Sequence, residues 1–438
     1  MPHYVVALDA AAATDPARVG PKAANLATLT RAGLPTPGGC CLLAQAYRAQ
    51  LEALELGHVA RQVFGSADPA AARAAALRMR LGLTGSPIVP AVREPLLDAW
   101  RALVADGATR LVVRSSALVE DRHGSSFAGQ FESFLGLDTE DDFLTAVRAC
   151  WAALWSTRAL RYMATHDVDP ADTAMALLIQ PLVEARAAGG ALSRTAEGRL
   201  LINATWGLGA AIAQGEVAPD RYLLEPDGAL ADTTLGTDQH PRPACGHAPA
   251  IGVPARRAAP HACLEPAQIA ELGALVRGID ELMAMPVEVE WALDATGFKL
   301  LQARPLRLEP ATAPDERWRR HPRLNGQPAG TGWATGRACV VSCECELARV
   351  APGDVLVTRM AGPALAAILP RVSGVVAELG GSTSHLASLA RERGIPMVLG
   401  AGQATRLIPE GSMVAVDGVA GIVRWMPAEP LPQHARMM

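Results

Sequence analysis

A histidine among small residues, and two carboxylates alternating along an apolar strand, are the groups in this chain best suited to chemistry. His385 follows Gly380-Gly381-Ser382-Thr383-Ser384. Leu386, Leu389 and Ala390 share one face of a helix that Gly394 and Pro396 should end. Ser384 or Thr383 is the candidate N-cap, which puts His385 in the first turn, where unbonded N–H groups and the positive helix end favour a phosphate. An imidazole nitrogen there can attack phosphorus and later release it; a satisfied surface histidine is the alternative for His385 taken alone. Further upstream, Val287, Val289 and Trp291 alternate with Glu288 and Glu290, so both carboxylates lie on one face of a strand. Asp294-Ala295-Thr296-Gly297 reads as a turn and Phe298 to Gln302 as the returning strand, with Gln302 and Arg304 on a common face. If that hairpin closes, two carboxylates, an amide and a guanidinium converge, and hard oxygen ligands beside a phosphate suit Mg²⁺. A solvated strand face has the same pattern.

Two basic side chains could serve the same phosphate. Of the 40 basic residues only Lys22 and Lys299 are lysines. In a chain that otherwise uses arginine, lysine marks a position where a compact ammonium differs from a planar guanidinium. Lys22 opens a helix carrying Leu26 and Leu29 that ends at Gly33, ahead of Pro35 and Pro37. Arg114 ends the apolar run Leu111-Val112-Val113, and Ser125, Ser126, Phe127, Ala128 and Gly129 follow. Gly129 and its small neighbours let backbone approach a polyphosphate, while Arg114 can grip phosphate oxygens through two N–H groups. Gln180 ends another apolar strand, where its amide can pair with a base edge or serve a turn.

These segments closely resemble the phosphoenolpyruvate synthase, pyruvate phosphate dikinase and rifampin phosphotransferase superfamily. The resemblance rests on Gly-Gly-x-Thr-Ser-His-x-Ala at 380–387 with Ala-Arg-Glu-x-Gly-Ile-Pro at 390–396, on Lys22-Ala-Ala-Asn-Leu26, on Val113-Arg-Ser-Ser-Ala117 with Ser126-Phe-Ala-Gly-Gln130, and on Glu290-Trp-Ala292 with Gln302-Ala-Arg-Pro305. It implies an ATP-grasp fold of mixed α+β and α/β lobes, followed by a small swivelling phosphohistidine domain. It also implies ATP at Lys22, Arg114, Gly129, Gln180, Glu290, Gln302 and Arg304, with Mg²⁺ on Glu290 and Gln302 and His385 as phosphoryl carrier. The chain departs from the pattern at Pro21, where the family has glycine, and at Ala210, where it usually has glutamate. Gly189-Gly190-Ala191-Leu192-Ser193 replaces the family's Ala-Gly-Val-x-Phe-Thr.

The 438 residues suggest two to four domains. The expected order is an ATP-binding domain over 1–307, a Pro- and Arg-rich linker over 308–327, the phosphohistidine domain over 328–426 and a tail over 427–438. Residues 42–108 read as helical, alanine-rich scaffold. A net charge of −4 gives no reason to expect nucleic acid or an anionic membrane as partner, and no run of 18 apolar residues suits a membrane span. The N-terminus lacks a signal-peptide pattern, and the eight cysteines show no paired CxxC spacing, so a cytoplasmic location is expected. His240, His247 and His261 match no metal-ligand spacing. The implied activity is a dikinase-like phosphotransferase, converting ATP to AMP and passing phosphate from His385 to a small-molecule hydroxyl such as an antibiotic, a phenol or a biosynthetic intermediate. A subunit whose acceptor domain comes from another chain, or a degenerate nucleotide-binding module, are the alternatives. Neither a pyruvate-binding barrel nor an inserted rifampin-binding domain fits within these residues.

Overall fold

The computed structural model describes residues 4–120, 130–236, 261–307 and 316–426. Gly129, His240, His247 and the expected tail lie outside them. The chain forms two compact units, residues 1–186 with 281–305, and 187–280 with 306–438.

The first unit opens with β1 (Val5–Ala7), α1 (Pro16–Arg31), β2 (Cys40–Leu42) and the helices α2 (Ala44–Ala53), α3 (Gly57–Gly65), α4 (Pro69–Gly85) and α5 (Pro90–Ala105). The expected helical scaffold is therefore present. Then come β3 (Leu111–Ala117), β4 (Ser133–Leu137), α6 (Glu140–Ala153), α7 (Thr157–Ala164) and β5 (Met175–Pro181). Five strands make an antiparallel sheet in the order β1-β2-β5-β3-β4. Its central strands β5 and β3 are almost wholly buried; β5 is apolar but for Gln180, while β3 turns from apolar to polar at Arg114, Ser115 and Ser116.

The chain then enters the second unit through an antiparallel meander, β6 (Ala187–Leu192), β7 (Leu200–Trp206), β8 (Asp220–Leu224) and β9 (Leu230–Thr234), with the short α8 (Ala210–Ala213) between β7 and β8. Helix α9 (Pro266–Met283) leads back to the first unit, which is completed by the hairpin β10 (Val287–Asp294) and β11 (Gly297–Pro305). That hairpin turns at the expected place. Asp294 Oδ1 accepts hydrogen bonds from the Thr296 amide and hydroxyl, both at 2.7 Å, and Gly297 takes φ +117°, a region few side chains tolerate.

The rest of the second unit is an eight-stranded sheet built from β12 (Arg323–Asn325), β13 (Gln327–Pro328), β14 (Trp333–Val341), β15 (Val355–Thr358), β16 (Gly374–Ala377), β17 (Met397–Leu399), β18 (Met413–Asp417) and β19 (Ile422–Trp425). Their order is β12-β19-β18-β14-β15-β16-β17-β13, with β14 to β17 parallel. Helix α10 (His385–Glu392) connects β16 to β17, and α11 (Ala404–Leu407) follows β17. Val355, Val357, Val376, Val398, Val414, Val416 and Val423 form the core of this sheet. Its first strand starts inside the stretch expected to be linker. Leu324 packs against that core and β12 pairs with β19, so three residues after Pro322 become an edge strand through tertiary pairing that no local pattern encodes.

Candidate functional site

In the hairpin, Glu288 lies opposite Arg304 and Glu290 opposite Gln302, so the register puts all four polar groups on one face. A bulge between Glu290 and Trp291 interrupts the pairing, the kind of irregularity that re-aims a side chain. Arg304 Nη2 lies 3.1 Å from Glu288 Oε2, and both side chains are buried. Arg114 reaches the hairpin from β3. Its Nη2 donates to Glu290 Oε2 at 2.7 Å and to Gln302 Oε1 at 2.9 Å, while Nη1 donates to the Leu301 carbonyl at 2.7 Å. The two expected metal ligands thus turn oxygens toward one cationic nitrogen. That arrangement fits a hard cation: two oxygens, one of them charged, already converge on positive charge.

Lys22 is fixed against the next residues of β3. Its ammonium donates to the Ser115 carbonyl at 2.7 Å and lies 3.0 Å from Glu120 Oε2. Burial pushes the Glu120 carboxyl above its ordinary range, against the pull of the Lys22 ammonium. Glu120 Oε1 and Ser115 Oγ are buried without a hydrogen-bond partner among the described residues. Helix α1 approaches β3 so closely because Gly20 breaks it, with φ +76° and ψ 154°. A Cβ at Gly20 would lie 2.3 Å from the Ser116 carbonyl oxygen. Beyond the break Pro21 restarts the helix, where its missing N–H costs nothing, and Ser116 Oγ accepts from the Ala23 amide at 3.1 Å. Pro21 in place of glycine is therefore compatible with the turn, since Gly20 alone takes the positive φ.

Gln180 lies opposite Val112 on the neighbouring strand. Its Nε2 donates to the Gly38 carbonyl at 3.0 Å, so part of the amide expected to read a base edge is committed to a turn. The first unit therefore brings Arg114, Glu290 and Gln302 into direct contact, sets Glu288 and Arg304 beside them on the hairpin, and holds Lys22 one residue along β3. Gln180 stands apart, bonded to the turn.

His385 lies in the second unit and is the first residue of α10. Ser384 is the N-cap, its Oγ accepting from the Ala387 amide at 3.3 Å. The helix ends as expected at Gly394, φ +64°, with the Ile395 amide returning to the Ala390 carbonyl at 2.9 Å. Arg391 is buried beneath the loop, and its Nη1 donates to the Ser382 carbonyl at 2.6 Å. The loop ahead of His385 is seated on the meander. The Gly380 amide donates to the Val217 carbonyl at 2.9 Å, and Asn203 on β7 donates through Nδ2 to Gln327 Oε1 at 3.1 Å. Asn203 Oδ1 faces the Thr383 hydroxyl at 3.5 Å. A Cβ at Gly190 would come 2.5 Å from Thr383 Cβ, and one at Gly381 would come 2.7 Å from Pro219 Cγ.

Sequence reasoning missed this seat, and it missed Glu120 as the partner of Lys22. Two signals were available. Asn203 is the one amide side chain in a largely apolar strand, and Gly189-Gly190 breaks the family pattern where a side chain would strike Thr383.

A strand hairpin of carboxylates, amide and guanidinium in one unit, with a capped histidine helix on a mostly parallel sheet in the other, defines a nucleotide-binding domain coupled to a histidine-bearing domain. Residues 16–322 match the profile of the pyruvate phosphate dikinase, AMP/ATP-binding domain family, and residues 350–421 that of the PEP-utilising enzyme, mobile domain family. The chain belongs to the phosphoenolpyruvate synthase and pyruvate phosphate dikinase superfamily, with an ATP-grasp-type domain followed by a mobile histidine domain. It is 31% identical over 440 residues to a probable phosphoenolpyruvate synthase of Methanothermobacter thermautotrophicus, covering 97% of this chain and 64% of that protein. It is 32% identical over 463 residues to the phosphoenolpyruvate synthase of Aeropyrum pernix, and 28% identical over 463 to that of Pyrococcus furiosus. Each of these alignments covers 92% of this chain and 56% of the relative. The chain thus spans between about half and two thirds of the length of these relatives. Among the described residues no helix is long and apolar enough to cross a membrane, and no cluster of three His, Cys, Asp or Glu side chains could hold a metal.

Proposed function

We propose that this chain takes a phosphoryl group from ATP onto His385 and delivers it to a small-molecule oxygen. The observation that carries the reading is the pairing of an ATP-binding domain with a capped, helix-opening histidine in a mobile-domain fold. An imidazole nitrogen of His385 attacks the β-phosphorus, and the bond between the β-phosphorus and the bridging oxygen to AMP breaks. Water then removes the terminal phosphate, leaving phospho-His385. The Lys22 ammonium and the guanidinium groups of Arg114 and Arg304 neutralise charge on the phosphate chain as it reorganises. Glu290 and Gln302 would hold Mg²⁺, which supplies charge neutralisation and orientation of the phosphates. By the family resemblance Gly129 would lie against the phosphates, and Gln180 keeps its amide oxygen for the adenine. In this reading the ATP-binding part is 1–307 and the histidine domain 328–426, joined by the linker 308–327.

The names of the relatives favour a pyruvate-like acceptor over an antibiotic or a phenol. Because the chain spans only part of those relatives, an acceptor site on a further domain or another chain is the second reading. The test is incubation with ATP labelled at the β-phosphorus. Acid-labile, base-stable label is expected on the wild-type chain and absent from His385→Ala. Normal labelling of that variant would remove His385 from the role.

A further inference from the structure

Arg114 occupies the wedge between the oxygens assigned to metal. Its Nη2 lies 2.7 Å from Glu290 Oε2 and 2.9 Å from Gln302 Oε1, and the Leu301 carbonyl holds Nη1. Mg²⁺ bound to the same two oxygens would sit about 2.0–2.1 Å from each. Entering the wedge from this side, it would meet the nitrogen well inside contact distance, and two cations repel. On that side of the two oxygens, metal and guanidinium exclude one another.

We propose that Arg114 is a resident cation that keeps free divalent metal out of Glu290 and Gln302 until a polyphosphate arrives to take the guanidinium. Metal and polyphosphate then enter as one unit. Metal alone would have to strip the guanidinium from three acceptors and supplies no anion in place of Glu290. A polyphosphate supplies that anion and accepts the planar fork through two parallel hydrogen bonds. Lysine would not serve equally, because one ammonium cannot hold a carboxylate, an amide and a backbone carbonyl through a rigid fork. Linkage makes the coupling reciprocal: the factor by which polyphosphate tightens metal is the factor by which metal tightens polyphosphate.

The inference rests on Glu290 and Gln302 being metal ligands, and the experiment separates the two claims. Mn²⁺ binding is measured by electron paramagnetic resonance, with and without a non-hydrolysable ATP analogue. The wild type is compared with Arg114→Met, Glu290→Gln and the double variant. The wild type should bind free Mn²⁺ weakly and at least tenfold more tightly with the analogue. Arg114→Met should bind free Mn²⁺ at least tenfold more tightly than the wild type, with a smaller gain from the analogue. The double variant should lose that gain. If Glu290→Gln leaves analogue-bound Mn²⁺ untouched, the metal assignment fails and the inference falls with it. If Glu290→Gln abolishes it but Arg114→Met gains no affinity for free Mn²⁺, the resident-cation role alone is overturned. Should Arg114→Met prove unfolded by circular dichroism, Arg114→Gln, which removes the charge but keeps hydrogen-bonding capacity, replaces it, and a free-Mn²⁺ affinity no higher than wild type overturns the proposal in the same way.

Discussion

Gly190→Ala isolates the seat of the histidine loop without touching any residue assigned to ATP. The added Cβ would lie 2.5 Å from Thr383 Cβ, 2.7 Å from its Oγ1 and 2.9 Å from its Cγ2. Thr383 cannot rotate out of this overlap, because Cβ itself is the nearest atom and rotation about χ1 leaves it in place. Overpacking of this kind costs about 1–3 kcal/mol. Taken at about 2 kcal/mol, it shifts a docked–undocked equilibrium roughly 30-fold toward undocking, since about 1.4 kcal/mol is a factor of ten. The assay is hydrogen exchange of the Gly380 amide, which donates to the Val217 carbonyl in the seat. Exchange there should accelerate by about that factor, while amides in the core of β15 and β16 should not change. Second-site changes sharpen the test. Thr383→Ala keeps the offending Cβ and should rescue little, whereas Thr383→Gly removes it and should restore slow exchange. Unchanged exchange in Gly190→Ala, or full rescue by Thr383→Ala, would refute the reasoning.

Two further outcomes follow from the Lys22 region. Gly20 and Gly33 have nearly equal positive φ, +76° and +78°, but a Cβ at Gly20 would strike the Ser116 carbonyl while nothing lies within 4 Å of one at Gly33. Gly33→Ala should therefore lose only about 1–2 kcal/mol of stability to the backbone strain it introduces, and Gly20→Ala distinctly more, together with ATP-analogue binding; urea midpoints that coincide for the two variants would exclude the close approach as the reason for Gly20. Glu120, with its carboxyl raised above 4.5 by burial, binds a proton more readily folded than unfolded. Its ionisation therefore opposes folding, so the stability of the wild type relative to Glu120→Gln should decline as pH rises from about 4.5 through the raised folded value. A stability difference that is flat or rising over that range in urea titrations would show that the Lys22 ion pair outweighs desolvation.

Much of the nucleotide-binding hairpin was legible because period-2 alternation and turn chemistry are local. The faces of Glu288, Glu290, Gln302 and Arg304 follow from the pleat, and the turn follows from Asp294 and Gly297. The cap and stop of the histidine helix were legible for the same reason, since Ser384 and Gly394 act within a few residues of the groups they satisfy. The strand Arg323–Asn325 was not. Three residues of edge strand carry too little pattern to outweigh the surrounding prolines, and only the pairing with β19 gives them extended structure.

The sequence by itself determined which groups exist for chemistry and which local elements present them, because caps, turns and strand faces depend on neighbours a few bonds away. Only the tertiary structure decided what those groups face. Arg114 meets Glu290 across 176 positions of chain, Lys22 meets Glu120 by way of Gly20's missing side chain, and Thr383 meets Asn203 across 180 positions. Such contacts are set by how sheets and helices pack, and packing is a property of the whole chain rather than of any stretch within it.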